Sequence, residues 1–176
     1  GSMKTRDELT TIRGRGNSTW GSAKKPYRLK FPSKTKLLAQ ANGTNEYADA
    51  KNWTLLANAA DKSMLLNALT TEIGKKVGGM PFYPAYKFVD LVVNDTYIGT
   101  YQISDHVQIN PDRIDINEDN GWFLEFYQGD AFAEDPHITF TYGNNNTGYC
   151  NVKNPEDKFY TTEVENDIIN YLHNAF

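Results

Sequence analysis

Ile12-Arg13-Gly14-Arg15-Gly16-Asn17-Ser18-Thr19-Trp20, followed closely by Lys25-Pro26-Tyr27-Arg28-Leu29-Lys30-Phe31, reads as a strand, a glycine-rich turn and a second strand. Tyr27, Leu29 and Phe31 alternate with Arg28 and Lys30, so one face of the second strand is apolar and the other basic. Two glycines set between arginines allow the backbone to approach a ligand closely, and the cations gathered at the turn point to an anion.

Charge elsewhere makes that anion a local one. The 176 residues carry a net charge of −4 and a pI near 5.4, which excludes a general basic field for nucleic acid. The first third is nevertheless basic around Arg13, Arg15, Lys24, Lys25, Arg28, Lys30, Lys34 and Lys36. Length and composition predict one globular domain over residues 4–176, with no membrane span and no disordered bias. Gly1-Ser2-Met3 reads as the remnant of a cleaved tag. Cys150 is the single cysteine, so neither an intrachain disulfide nor a cysteine-based zinc site can form.

Working outward, residues 33–52 read as a polar connection, with a short helix near Leu37 and Leu38. Asp61 then caps a helix to Val77, in which Leu65, Leu66, Leu69, Ile73 and Val77 recur at helical spacing before Gly78-Gly79; this stripe is expected to pack on a sheet or another helix. Tyr86–Val93 and Thr96–Ile103, joined by Asn94-Asp95, predict a hairpin of central strands. A strand at 121–127 and a pair at 138–142 and 149–152 follow. A last helix from about Thr162 to Phe176 carries Val164, Ile168, Ile169 and Leu172 on one stripe, capped by Thr161 or Thr162. It reaches the chain end without a stop signal, as in a chain cut there, and is expected to meet a missing lobe. The sum is an α+β fold: a twisted, mainly antiparallel sheet with one packed amphipathic helix and a C-terminal helix.

The opening stretch, together with Trp53–Asn58, Asp61-Lys62-Ser63, Asn67-Ala68-Leu69, Phe88–Leu91 and Ile98–Tyr101 in that order, resembles the spore coat protein H (CotH) kinase family, well over about residues 11–127 and loosely beyond. Those proteins are atypical, secreted kinases. The resemblance implies ATP with Mg²⁺ or Mn²⁺ as cofactors, a protein Ser or Thr as substrate, and a place at the cell surface or outside the cell.

Kinases hold phosphates with a glycine-rich turn and a strand lysine that a helix glutamate positions. Gly14 and Gly16 supply the turn, Lys30 or Arg28 the strand cation and Glu72 the carboxylate, which falls at the edge of the helix's apolar stripe. The resemblance aligns Lys30 with the family's nucleotide-binding lysine. Each residue also has a plain structural reading: half-exposed strands alternate basic and apolar residues, and Glu72 can pair locally with Lys75 or Lys76. Arg13, Arg15 and Asn17 contact phosphates or else support the turn, an arginine pairing with a carboxylate such as Asp90. Gln102 begins the segment to Val107 that occupies the adenine-flanking hinge of a kinase-like lobe; Asp105 and His106 read there as solvated loop residues.

Asp115–Gly121 opens like a calcium loop, but its glycine falls one place late and Phe126 stands where a bidentate glutamate belongs, so an acidic turn is the better reading. No catalytic-loop or metal-binding aspartate motif follows. In the resembled family those aspartates lie in a helical second lobe, so the chain reads as an N-terminal lobe that binds nucleotide without transferring phosphate. The competing reading is a cell-surface module that stacks a sugar or peptide on aromatics such as Trp122, Tyr127, Tyr142 and Tyr149.

Overall fold

A computed structural model of the chain describes residues 10–38, 48–128, 133–156 and 159–176. The fold is α+β, as expected, but it distributes its strands over two antiparallel sheets rather than one. The chain divides into two compact units, Gly1–Asp115 and Ile116–Phe176, each with its own sheet.

In the first unit β1 (Thr11–Gly14), β2 (Tyr27–Lys36), β3 (Asp49–Leu56), β5 (Thr96–Asp105) and β4 (Tyr86–Val93) lie across the sheet in that order. The predicted hairpin forms, with Asn94 and Asp95 both at positive φ as a two-residue turn demands. Its strands are not both central: β5 is, while β4 forms an edge. The connection expected over 33–52 is replaced at both ends, because β2 continues to Lys36 and β3 begins at Asp49. Leu37 and Leu38 are not helical, and the rest of that expected helix lies outside the described residues. Pairing slips between Lys30 and Thr35, where Pro32 has no amide to donate.

Register sorts the side chains. Arg13, Arg28, Thr54, Ser104 and Tyr86 form one row across all five strands, and directly opposed residues share a face. The alternating positions supply the other face, where Phe31, Trp53, Leu55, Tyr101 and Ile103 build the core with Tyr27 and Leu29 against them.

Helix α1 (Leu66–Val77) starts later than predicted, with Leu65 rather than Asp61 at its N-cap, while the Asp61 carboxylate accepts the Ser63 and Leu66 amides at 2.9 and 2.8 Å. Those bonds, the Leu66 amide foremost, hold the Asp61 pKa down. The leucine stripe does not pack as expected. Leu65, Leu66, Leu69, Ile73 and Val77 are all more than half exposed, and Ala68 is the buried residue of the helix. Small residues explain this, since they allow a closer approach than leucine. A Cβ at Gly74 would stand 2.8 Å from the Tyr83 ring, and Lys75 lies 5.6 Å over the Tyr86 ring.

A buried ion pair closes this unit. Asp105 accepts the Arg113 Nε–H at 2.9 Å and the Ala85 amide at 2.9 Å, while the Arg113 guanidinium lies 4.7 Å from the Trp53 ring centre. Burial pushes the Asp105 carboxyl up, and Arg113 and the Ala85 amide pull it back.

In the second unit β6 (Phe123–Tyr127), β8 (Asn146–Asn154) and β7 (His137–Tyr142) form the sheet in that order. Helix α2 (Thr162–Ala175) buries Ile168 and Leu172 against Ile138, Phe140, Cys150 and Val152. Thr161 caps it, accepting the Val164 amide at 3.3 Å. The predicted stripe therefore packs within this unit's own core.

Replacing Arg113 by Ala strands a buried carboxylate and is expected to cost about 3–5 kcal/mol in urea unfolding followed by circular dichroism. The double change Asp105→Asn with Arg113→Met, which leaves no buried charge, is expected to cost less than Arg113→Ala alone.

Candidate functional site: an arginine-lined sheet face

β1 and β2 place Arg13 directly opposite Arg28. Like charges so opposed repel, and among the described residues no carboxylate pairs with Arg13, Arg15 or Arg28. Burial lowers the pKa of Arg28, with Arg13 and then Arg15 adding to the effect, and burial lowers that of Arg15 as well. Lys30 stands two residues along the same face, exposed, in the row of Thr11 and Asn52. The structure thus brings Arg13, Arg15, Arg28 and Lys30 to one region of the sheet.

The glycines serve the turn. A Cβ at Gly14 would meet the Trp20 ring at 2.4 Å, so glycine there lets the indole lie across β1. Trp20 in turn meets Tyr27 edge-on at 6.2 Å and carries the Lys25 ammonium 5.4 Å from its ring. Gly16 has φ +85°, a conformation that favours glycine. The Arg15 amide donates to the Pro26 carbonyl at 3.2 Å, which closes the connection. Asn17 is exposed; its side chain makes no capping bond, and its carbonyl accepts the Trp20 amide at 3.1 Å.

Beside the turn lies a cleft of about 320 Å³ whose lining includes Arg15, Lys24, Pro26, Leu56, Leu66 and Asn67. Lys24 projects over the Tyr101 ring at 4.5 Å and donates to the Thr100 carbonyl. Sequence reasoning counted Lys24 only as part of the local charge. Its position before Lys25-Pro26 was the available signal, but nothing in the spacing showed that it crosses to β5.

Two expected participants stand elsewhere. Glu72 pairs with Lys75 at 2.9 Å and also interacts with Tyr86; these contacts hold its pKa down, Lys75 foremost. Tyr86 lies three strands from Arg28 in the same row, about 14 Å by strand spacing. No Lys30–Glu72 pair forms. Gln102 is buried in mid-sheet rather than in a hinge: its Oε1 accepts Asn58 Nδ2 at 3.0 Å, and Asn58 Oδ1 accepts Asn67 Nδ2 at 2.8 Å. This amide chain ties β5 to the start of α1.

Asp105 and His106 are not solvated loop residues. Asp105 is buried with Arg113, and His106 is half-buried. Burial, then Arg28, Arg15, Arg113 and Arg13, push the His106 pKa down to about 4.

The aromatics of the competing reading each lie against another ring. Trp122 meets Tyr171 edge-on at 5.7 Å, Tyr142 meets Phe176 at 6.1 Å and an interplanar angle of 63°, and Tyr127 lies against Tyr149 at 5.7 Å. Among the described residues no helix is long and apolar enough to cross a membrane, and no three His, Cys, Asp or Glu side chains gather as metal ligands.

A family model described as CotH kinase protein matches residues 12–175. The chain belongs to the CotH kinase family. The match runs through both units, well past the motifs that carry the resemblance in sequence, and makes this a kinase-like protein. No curated protein and no solved structure matches the chain.

In this CotH kinase family member the His106 ring resists a proton that the unfolded chain accepts near pH 6.5. Stability is therefore expected to be full above that pH and to decline as the pH falls toward 4. His106→Gln removes this contribution, so thermal midpoints at pH 7 and pH 4.5 should differ less in the variant than in the parent.

Proposed function

We propose that the chain is the ATP-binding part of a CotH-type protein kinase that phosphorylates Ser or Thr of partner proteins. The observation that carries the reading is the opposed pair Arg13–Arg28, with Arg15 beside it and no carboxylate partner among the described residues. An anion relieves that repulsion, and planar guanidinium forks match phosphate oxygens. Arg13, Arg15 and Arg28 would hold the phosphates with Lys30 at the margin, and the apolar side of the adjoining cleft suits a purine. Gly14, Gly16 and Asn17 shape the turn that presents Arg15. Bound Mg²⁺ neutralises charge on the transferring phosphate. In this reading the carboxylates that hold it, and the base that activates the acceptor hydroxyl, are supplied from a second lobe, so the chain by itself binds nucleotide without efficient transfer. Export to the cell surface or beyond accompanies the family reading.

Calorimetric titration with Mg-ATP tests the proposal. Arg28→Ala and Arg13→Ala are each expected to weaken binding about tenfold or more, as loss of a charged hydrogen bond does, with a smaller loss for Lys30→Ala. Absence of nucleotide binding, together with oligosaccharide binding that Trp122→Ala abolishes, would instead establish the cell-surface module.

A further inference from the structure

His106 is half-buried directly after the last residue of β5. Arg113 holds the Asp105 side chain on the core side of the sheet, where Asp105 stands opposite Trp53. Two residues on from His106, Gln108 Oε1 accepts Asn52 Nδ2 at 3.2 Å, and Asn52 alternates onto the side of Arg13, Arg28, Thr54 and Ser104, so the segment comes to that side. Asn52 is paired on β2 with Lys30. The charged groups that act on the ring are Arg13 from β1, Arg15 from the turn after it, Arg28 from β2 and Arg113 from the segment after β5, and all are cationic. Asp105 is engaged by Arg113 on the opposite face.

A half-buried histidine in the field of these arginines stays neutral until an anion arrives. We propose that His106 is a ligand-binding residue of the arginine face, taking up a proton when a polyphosphate settles on Arg13, Arg15 and Arg28 and donating a ring N–H to a phosphate oxygen. The inference rests on the reading of this face as a phosphate site and adds a contact that neither the glycine-rich turn nor the strand cations supply. The proton comes from solvent, so binding is linked to pH: affinity rises on acidification until the free ring also protonates, near pH 4.

The test is titration calorimetry with inorganic tripolyphosphate and with ATP, on the parent chain and on His106→Gln, at pH 8 and 5.5 in two buffers of different ionisation enthalpy. Comparison with the variant removes the ligand's own titration. At pH 5.5 the parent is expected to take up about one proton more than the variant, and the ratio of parent to variant affinity should grow about tenfold between pH 8 and 5.5. The chain has three histidines, so the ring signal that vanishes in the variant assigns His106, and its midpoint should move upward when tripolyphosphate is added. Equal proton uptake in parent and variant, or an affinity loss that is the same at both pH values, would overturn the role of His106 while leaving the phosphate site standing. Failure of both ligands to bind the parent at either pH would overturn the site and the role together.

Discussion

The buried pair Asp105–Arg113 governs the arrangement of the first unit. A carboxylate and a guanidinium taken out of water persist only where each is well partnered, and here the carboxylate accepts from Arg113 and the Ala85 amide while the guanidinium rests on Trp53. The segment after β5 is thereby folded back beneath the sheet, where its turn is closed by the Arg113 amide donating to the Asn110 carbonyl at 2.9 Å and the Asp112 carboxylate accepts the Asp49 amide at 2.8 Å. The same pair fixes which way the chain faces. With Asp105 committed to the core side, the chain leaves β5 at His106, whose ring lies in the field of Arg28, Arg15, Arg113 and Arg13.

That other face is unusual in what it lacks. Cross-strand neighbours of like charge destabilise a sheet, and the ordinary remedy is a carboxylate within reach, as Lys153 has in Glu125 at 3.0 Å. Arg13 and Arg28 have no such remedy among the described residues, and β1, which carries Arg13, is an exposed edge strand held by β2 alone. Repulsion with no carboxylate to relieve it among the described residues, on an edge strand, is the physical basis of the anion reading.

Sequence alone revealed the parts whose stability comes from local pattern. The hairpin was legible because Asn94-Asp95 sits between β-rich runs, and α2 because its stripe and its threonine cap coincide. β3 was not, since Asp49-Ala50-Lys51-Asn52 shows no alternation and the strand exists because β2 and β5 pair with it on both sides. The packing face of α1 was misread for a related reason: apolar periodicity locates the greasiest stripe, whereas docking followed the small residues Ala68 and Gly74. Of the candidate site, the arginines and Lys30 were readable from the alternation in β2. The local pairing of Glu72 with Lys75 was readable too, as the alternative to a pair with Lys30; the burial of Gln102 and His106 was not, because Gln102 is held by Asn58 from another part of the chain and no local pattern marks His106 as half-buried.

The displacement of Glu72 bears on how the cations are held. A kinase lysine on a strand needs its helix glutamate because a flexible four-carbon ammonium has no geometry of its own. Here Glu72 is occupied by Lys75 and Tyr86, and the cations are ordered by other means: the guanidiniums are planar, and the Cα positions that carry them are fixed by the β1–β2 register and by the Arg15 amide bonded to Pro26. Positioning by backbone pairing requires no acidic partner, and among the described residues none pairs with Arg13, Arg15 or Arg28. The same backbone holds the turn glycines in place, and the loss of a single helix carboxylate from the arrangement leaves the face intact.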